Sequence, residues 1–221
     1  MIAEAAVAAR AQRAGLSLSP QTVAALAAHA RAVLEADPRL HLTAVKDPVE
    51  FLERHIGESL EGAALLPPNG TGVLVDVGSG NGYPGVPLGL ARPGLRIVLV
   101  EASRRKADFL EEATAALPAG RFSVLCAQVQ RPEDLQGVAP GFLASRAMGN
   151  WARVVPRLAR ALPPGGIVLL WAGEEADAIF RRDAWRALRV VRRQPILERQ
   201  RSWIWVLERV PTIPSAHSPT S

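Results

Sequence analysis

The stretch from Val73 to Leu90, VLVDVGSGNGYPGVPLGL, constrains this 221-residue chain more than any other. Val73, Val75 and Val77 alternate, and their β-branching favours an extended strand. Four glycines follow at Gly78, Gly80, Gly82 and Gly85, so the strand runs directly into a tight turn. Such a turn needs glycine because its backbone must reach positive φ, and because a ligand approaches the chain closely only where no Cβ intervenes. Pro84 and Pro87 suit the first turn of a following helix, where a missing N–H costs little. Strand, glycine loop and helix make the opening unit of a nucleotide-type crevice in an open α/β sheet.

Gly80, Gly82 and Gly85 reproduce the Gly-x-Gly-x-x-Gly spacing of dinucleotide sites, and Glu101 closes the next strand where a ribose-binding acid is expected. Asp76 argues for a different ligand. It lies two residues before the first glycine, at the carboxyl end of the strand, where its charge would repel a pyrophosphate and help hold an ammonium group. S-adenosylmethionine joins a sulfonium, an amino acid and an adenosine with no phosphate, so it is the expected cofactor ahead of a nicotinamide or flavin. Glu101 then accepts both ribose hydroxyls. A glycine turn that binds nothing would be costly to order.

Hydrophobic residues make up 48% of the chain, enough for one α/β domain with a full core. A formal charge of +5 points to a polyanionic partner. All but Lys46 and Lys106 of the 26 basic residues are arginine, however, and a biased genome gives the same excess. Cys126 is the only cysteine, which excludes an intrachain disulfide and makes a reducing cytoplasm the expected compartment. His29, His41, His55 and His217 lack metal-ligand spacing, so no metal is expected. No apolar run is long enough for a membrane span, and a soluble monomer is expected.

Residues 1–66 read as an N-terminal helical extension, 67–210 as a methyltransferase domain and 211–221 as a disordered Pro/Ser/Thr-rich tail. Within the extension, one helix covers Ala3 to Ala14. Ser19 and Pro20 start a second, expected to stop at Pro38. Asp47, Pro48 and Glu50 begin a third, with Leu52, Ile56, Leu60 and Ala63 on its apolar face. His55 falls at the edge of that face, either as a half-buried residue satisfied by a neighbour or as part of a site. After the glycine loop come a strand to Glu101, a helix capped by Ser103, a strand Phe122–Cys126, and a loop where Val129 and Gln130 are placed to meet an adenine. Arg104, Arg105 and Lys106 either touch RNA phosphate or form a solvated helix start. A strand ending in Ser145-Arg146-Ala147 borders the same crevice, and Arg146 points to ligand or holds a neighbouring loop. A helix Trp151–Leu162, a buried strand Ile167–Trp171 and a helix Glu174–Ala187 lead to two strands near Leu188–Arg193 and Ser202–Glu208. That last pair is short enough in connection to form an antiparallel hairpin, the methyltransferase ending of a parallel sheet.

From about Leu40 to Leu170 the chain resembles the bacterial RsmG (GidB) family of small-subunit ribosomal RNA methyltransferases. The likeness rests on Leu42-Thr43-Ala44-Val45 before Asp47-Pro48, on Arg54-His55 with Ser59, on Asp76 to Gly85, and on Ser145-Arg146-Ala147. The resemblance implies a class I S-adenosylmethionine-dependent fold and methylation of nitrogen-7 of one guanine, with ribosomal RNA or the small ribosomal subunit as partner. It also implies donor contacts at Gly78, Tyr83, Val129, Gln130 and Arg146. With Asp76, Ser79, Gly80 and Glu101 these make the expected cofactor site, and Arg54 and His55 are the expected substrate-side residues. Members usually carry Asn at His41, Asp at Glu58 and Glu101, Glu at Gln130, and Lys at Ala172. A small-molecule methyltransferase and a non-catalytic RNA-binding module are the rival expectations.

Overall fold

A computed structural model describes residues 2–118, 120–197 and 199–211. Its centre is a seven-stranded sheet in the order β3-β2-β1-β4-β5-β7-β6. Five strands run parallel: β1 (Gly72–Val77), β2 (Leu95–Glu101), β3 (Phe122–Cys126), β4 (Phe142–Arg146) and β5 (Ile167–Gly173). The remaining two, β6 (Leu188–Pro195) and β7 (Ser202–Arg209), form the expected antiparallel hairpin, and β7 inserts between β5 and β6. Strand order reverses between β1 and β4, the position at which α/β sheets open a crevice at their carboxyl edge.

Alternation along the strands sorts the core into two layers. Leu74, Ile97, Leu99, Ala144 and Leu169 face one side, where they pack with Val7 of α1 (Glu4–Arg13), Leu26 and Val33 of α2 (Pro20–Leu40), and Phe51 of α3 (Pro48–Phe51). Leu60 of α4 (Glu58–Leu65), Val86 of α5 (Gly85–Ala91) and Leu110 of α6 (Arg104–Ala115) complete that layer. Val75, Val77, Val98, Leu143 and Val168 face the other side, against α7 (Trp151–Leu158) and α8 (Ala176–Phe180). The N-terminal helices therefore share a core with the sheet. Among the described residues no helix is long and apolar enough to cross a membrane.

Three local features depart from the sequence expectation. α2 continues through Pro38 and stops only where His41 adopts a left-handed conformation, φ 50°, its N–H donating to the Asp37 carbonyl. Burial of Val23, Leu26, Ala30 and Val33 outweighs the one bond that the proline removes. The helix expected over Glu174–Ala187 is broken into α8 and a 3-10 turn at Asp183–Trp185. The break lets Trp185 bury beside Phe180, with ring centroids 4.9 Å apart. Between α3 and α4 the chain winds as a π-helix over Leu52–Gly57. Gly57 makes room there for the buried Arg10 guanidinium, whose Nε would lie 2.3 Å from a Cβ at that position. Arg10 pairs with Glu53 and Glu61 on either side of it. Of the tail expected over 211–221, residues 212–221 lie outside the described residues.

Candidate active site

A cavity of about 610 Å³ opens at the carboxyl edge of β1, β2, β4 and β5, within the usual range for small-molecule sites. Its floor is the glycine loop. The N–H groups of Gly78 and Ser79 both donate to the Val100 carbonyl at 2.9 Å, which ties the loop to β2. Gly78 and Gly80 hold φ of 76° and 55°. A Cβ on Gly78 would find its nearest neighbour, Met148 Sδ, at 3.6 Å, and one on Gly80 would meet only the Gly78 carbonyl at 3.9 Å. Met148 therefore covers Gly78, while the backbone at Gly80 is nearly open and can be approached closely by a ligand.

Glu101 crosses from the tip of β2 to this loop. Its Oε2 accepts the Gly80 N–H at 2.9 Å and its Oε1 accepts the Ser103 N–H at 2.8 Å. Ser103 thus precedes α6 without capping it through its hydroxyl. Each carboxylate oxygen keeps a second lone pair, so the residue can still accept ribose hydroxyls from a bound adenosine.

Asp76 is placed differently from the sequence expectation. Strand alternation turns it to the same side as Leu74, under α5, where it is fully buried and does not line the cavity. Its Oδ2 accepts the Gly85 N–H at 3.0 Å, and Oδ1 has no partner among the described residues. Burial raises this carboxyl to about 7, opposed by the Gly85 bond. Asp76 therefore joins β1 to α5, and the half-buried Glu101 is the acid from the β2 tip that lines the cavity. Val129 and Gln130 also stand outside the cavity wall. Val129 packs into the core, and the Gln130 N–H is drawn to Asp134 Oδ2 at 2.9 Å.

The opposite end of the cavity is built around Arg146. Its Nη1 donates to the Arg54 carbonyl at 2.6 Å and lies 3.5 Å from Glu58 Oε2; its Nη2 donates to His55 Nδ1 at 2.8 Å. A guanidinium only donates, so Nδ1 must accept and the His55 proton sits on Nε2. From there it donates to Thr43 Oγ at 2.8 Å. Burial, with the Arg146 and Arg54 charges, lowers His55 to about 3. The imidazole is a fixed neutral spacer. Tyr83, also in the wall, is 5.3 Å from His55 between ring centroids and lies 6.0 Å from the Arg146 guanidinium carbon. The loop is braced from outside by His29, whose Nε2 bonds the Asn81 carbonyl at 3.0 Å, while Asn81 donates to the Leu42 carbonyl at 3.2 Å.

The structure thus brings Gly78, Ser79, Gly80, Tyr83, Glu101, Arg146, Arg54 and His55 to one cavity. A profile of the family described as rRNA small subunit methyltransferase G (GidB) matches residues 22–191. The chain belongs to this family. Similar family members include the ribosomal RNA small subunit methyltransferase G of Sorangium cellulosum, 34% identical over 174 residues, covering 77% of this chain and 72% of that protein. The corresponding Syntrophobacter fumaroxidans protein, ribosomal RNA small subunit methyltransferase G 1, is 36% identical over 170 residues, covering 74% and 75%. Among solved structures, a mutant of MtNAS in complex with S-adenosylmethionine superposes with a TM-score of 0.60 at 16% identity, covering 86% of this chain and 79% of that one. Methanococcus jannaschii fibrillarin, a pre-rRNA processing protein, gives 0.56 at 14% identity, covering 66% and 70%. At such identities these structures speak to the fold, which is that of the class I methyltransferases.

Among the wall residues that the sequence reading does not place in the site are Thr43, Glu58 and Arg199. Glu58 lies three residues after His55, a spacing that puts the two on neighbouring parts of a helix surface and signals a shared site. Arg199 carries no such signal, because it reaches the cavity from the β6–β7 turn, 141 residues from its partner Glu58.

Proposed function

We propose that this chain transfers the methyl group of S-adenosylmethionine to nitrogen-7 of a guanine in small-subunit ribosomal RNA, and acts in the cytoplasm where that RNA is assembled. Family membership supports the reaction class, and the residues present fit the donor. Gly80 leaves the loop backbone nearly open, and Glu101, at the β2 tip, has lone pairs for a ribose. When bound, S-adenosylmethionine supplies an electrophilic methyl group on a sulfonium.

The observation that favours a ring nitrogen as acceptor is the state of His55. Both of its nitrogens are engaged, one accepting from Arg146 and the other donating to Thr43, and its affinity for protons is low. It is therefore poorly suited to take a proton from an amine or hydroxyl. Nitrogen-7 of guanine has a free lone pair and no proton to lose. The chain's own work is then positional: Arg146 fixes the π-helix and β4 against one another, Tyr83 forms part of the wall, and the cavity would bring the two reactants together. Mass mapping of ribosomal RNA from a strain lacking this protein tests the reading. One missing methyl on a small-subunit guanine is the expected result, and an unchanged methylation pattern would overturn it.

A further inference from the structure

The cavity wall carries charges of both signs, Lys106 and Arg54 among them. Glu101 stands at its adenosine end, while Arg146 and Arg199 meet Glu58 at the other, two guanidinium groups sharing one carboxylate. Arg146 is held by the protein, with its side chain 11% exposed and both terminal nitrogens engaged, Nη1 by Arg54 and Glu58 and Nη2 by His55. Arg199 is less engaged. Its side chain is 40% exposed and lines the cavity, and among the described residues that side chain makes one hydrogen bond, Nη1 donating to Glu58 Oε1 at 2.9 Å. A guanidinium carries five N–H donors in a planar fork, so most of this one remains available.

The turn that carries Arg199 is anchored. Ile196 is buried in the core, and the Leu197 N–H donates to Glu61 Oε2 at 3.1 Å. Glu58 and Glu61, one turn apart on α4, therefore hold the β6–β7 turn at two points and fix the Arg199 head before any ligand arrives. We infer that Arg199 binds a backbone phosphate of the RNA acceptor and so seats the target nucleotide at the Glu58 end of the cavity, an inference that rests on the ribosomal RNA reading above. A base entering the cavity brings its own phosphate to the rim. A guanidinium fork matches that anion in shape and charge, and the second positive charge, left over once Glu58 has neutralised one, attracts it. Arg199 acts here as a substrate-positioning residue.

The test uses the full chain, with Arg199→Gln, which keeps a donor facing Glu58 but removes the charge, and Arg199→Lys, which keeps the charge. Methyl transfer to small-subunit RNA, RNA binding against salt concentration, and donor affinity by calorimetry are measured for each. R199Q is expected to raise KM for RNA about tenfold. It should also flatten the log–log salt dependence of RNA binding by about 0.7, the share of one single-strand phosphate. Donor affinity should stay at the wild-type value, and R199K should restore the salt dependence. An unchanged KM and slope in R199Q would overturn the inference while leaving the methyltransferase reading intact. A loss confined to donor affinity would assign Arg199 to the donor's carboxylate and overturn it as well. Wild-type protein that neither methylates nor binds the RNA would overturn both.

Discussion

Acid should destabilise this fold along a slope set by three buried groups. Burial, with smaller effects of the Arg146 and Arg54 charges, lowers His55 to about 3; burial lowers His29 to about 4 against a weaker opposing bond from Asn81. In the unfolded chain both return to about 6.5. Between about pH 4 and 6.5 the unfolded chain therefore binds two protons that the folded one does not. Each lowered histidine leaves stability intact above its unfolded value and removes it as pH falls. Asp76 runs the other way: burial raises it to about 7, so in the same window the folded chain keeps a proton that an ordinary carboxyl has lost. Its contribution is unperturbed below about pH 3.9 and erodes as pH rises through 7. Two protons less one leaves a net difference of about one, so stability should rise with pH by about 1.4 kcal/mol per unit across the window. Asp76→Asn removes the opposing proton while keeping a carbonyl oxygen for the Gly85 N–H. The slope should then become about 2.7 kcal/mol per unit. Urea unfolding at half-unit pH steps from 4.5 to 6 reads both slopes. A flat wild-type profile, or equal slopes with and without the substitution, would refute the assignment of these protons.

Two further substitutions address the loop. Gly85→Ala places a Cβ 2.4 Å from Leu99 Cδ2 and 2.7 Å from Asp76 Oδ2, a clash with core atoms on both strands that flank α5. Overpacking of this kind costs about 2 kcal/mol, so the melting temperature should fall by about 4–8 °C; an unchanged value would show that α5 does not approach the sheet as described. Glu101→Ala removes the acceptor for the Gly80 and Ser103 N–H groups and for a ribose. Calorimetry should show S-adenosylmethionine binding weakened by about 10–100-fold, the worth of a charged hydrogen bond, and wild-type affinity would count against Glu101 as the ribose acid.

The parts of this molecule that sequence makes legible are local ones. Val73, Val75 and Val77 with the glycines after them specify β1 and its loop through alternation and positive φ, and the spacing to Glu101 carries across a single βαβ step. Asp76 shows where such reading stops. Alternation already turns it to the opposite face from Val75, but only packing reveals that Gly85 of α5 covers that face and claims its carboxyl. The π-helix is invisible to a 3.6-residue period, and so is the packing of Arg10, far away in α1, against its Gly57. Arg146 was readable as a cavity residue from its place at the end of β4; its grip on His55 and the Arg54 carbonyl spans more than 90 residues and was not. The Glu58–Arg199 contact is longer still. Burial of charge decides these contacts, and burial is a property of the assembled chain.

Methyl transfer from labelled S-adenosylmethionine, with purified protein, small-subunit RNA or particles, and mass mapping of the product, measures the central claim most directly. One methyl on nitrogen-7 of a single guanine is the predicted product. Label on another atom, or donor bound with no label entering either form of the RNA, would contradict it.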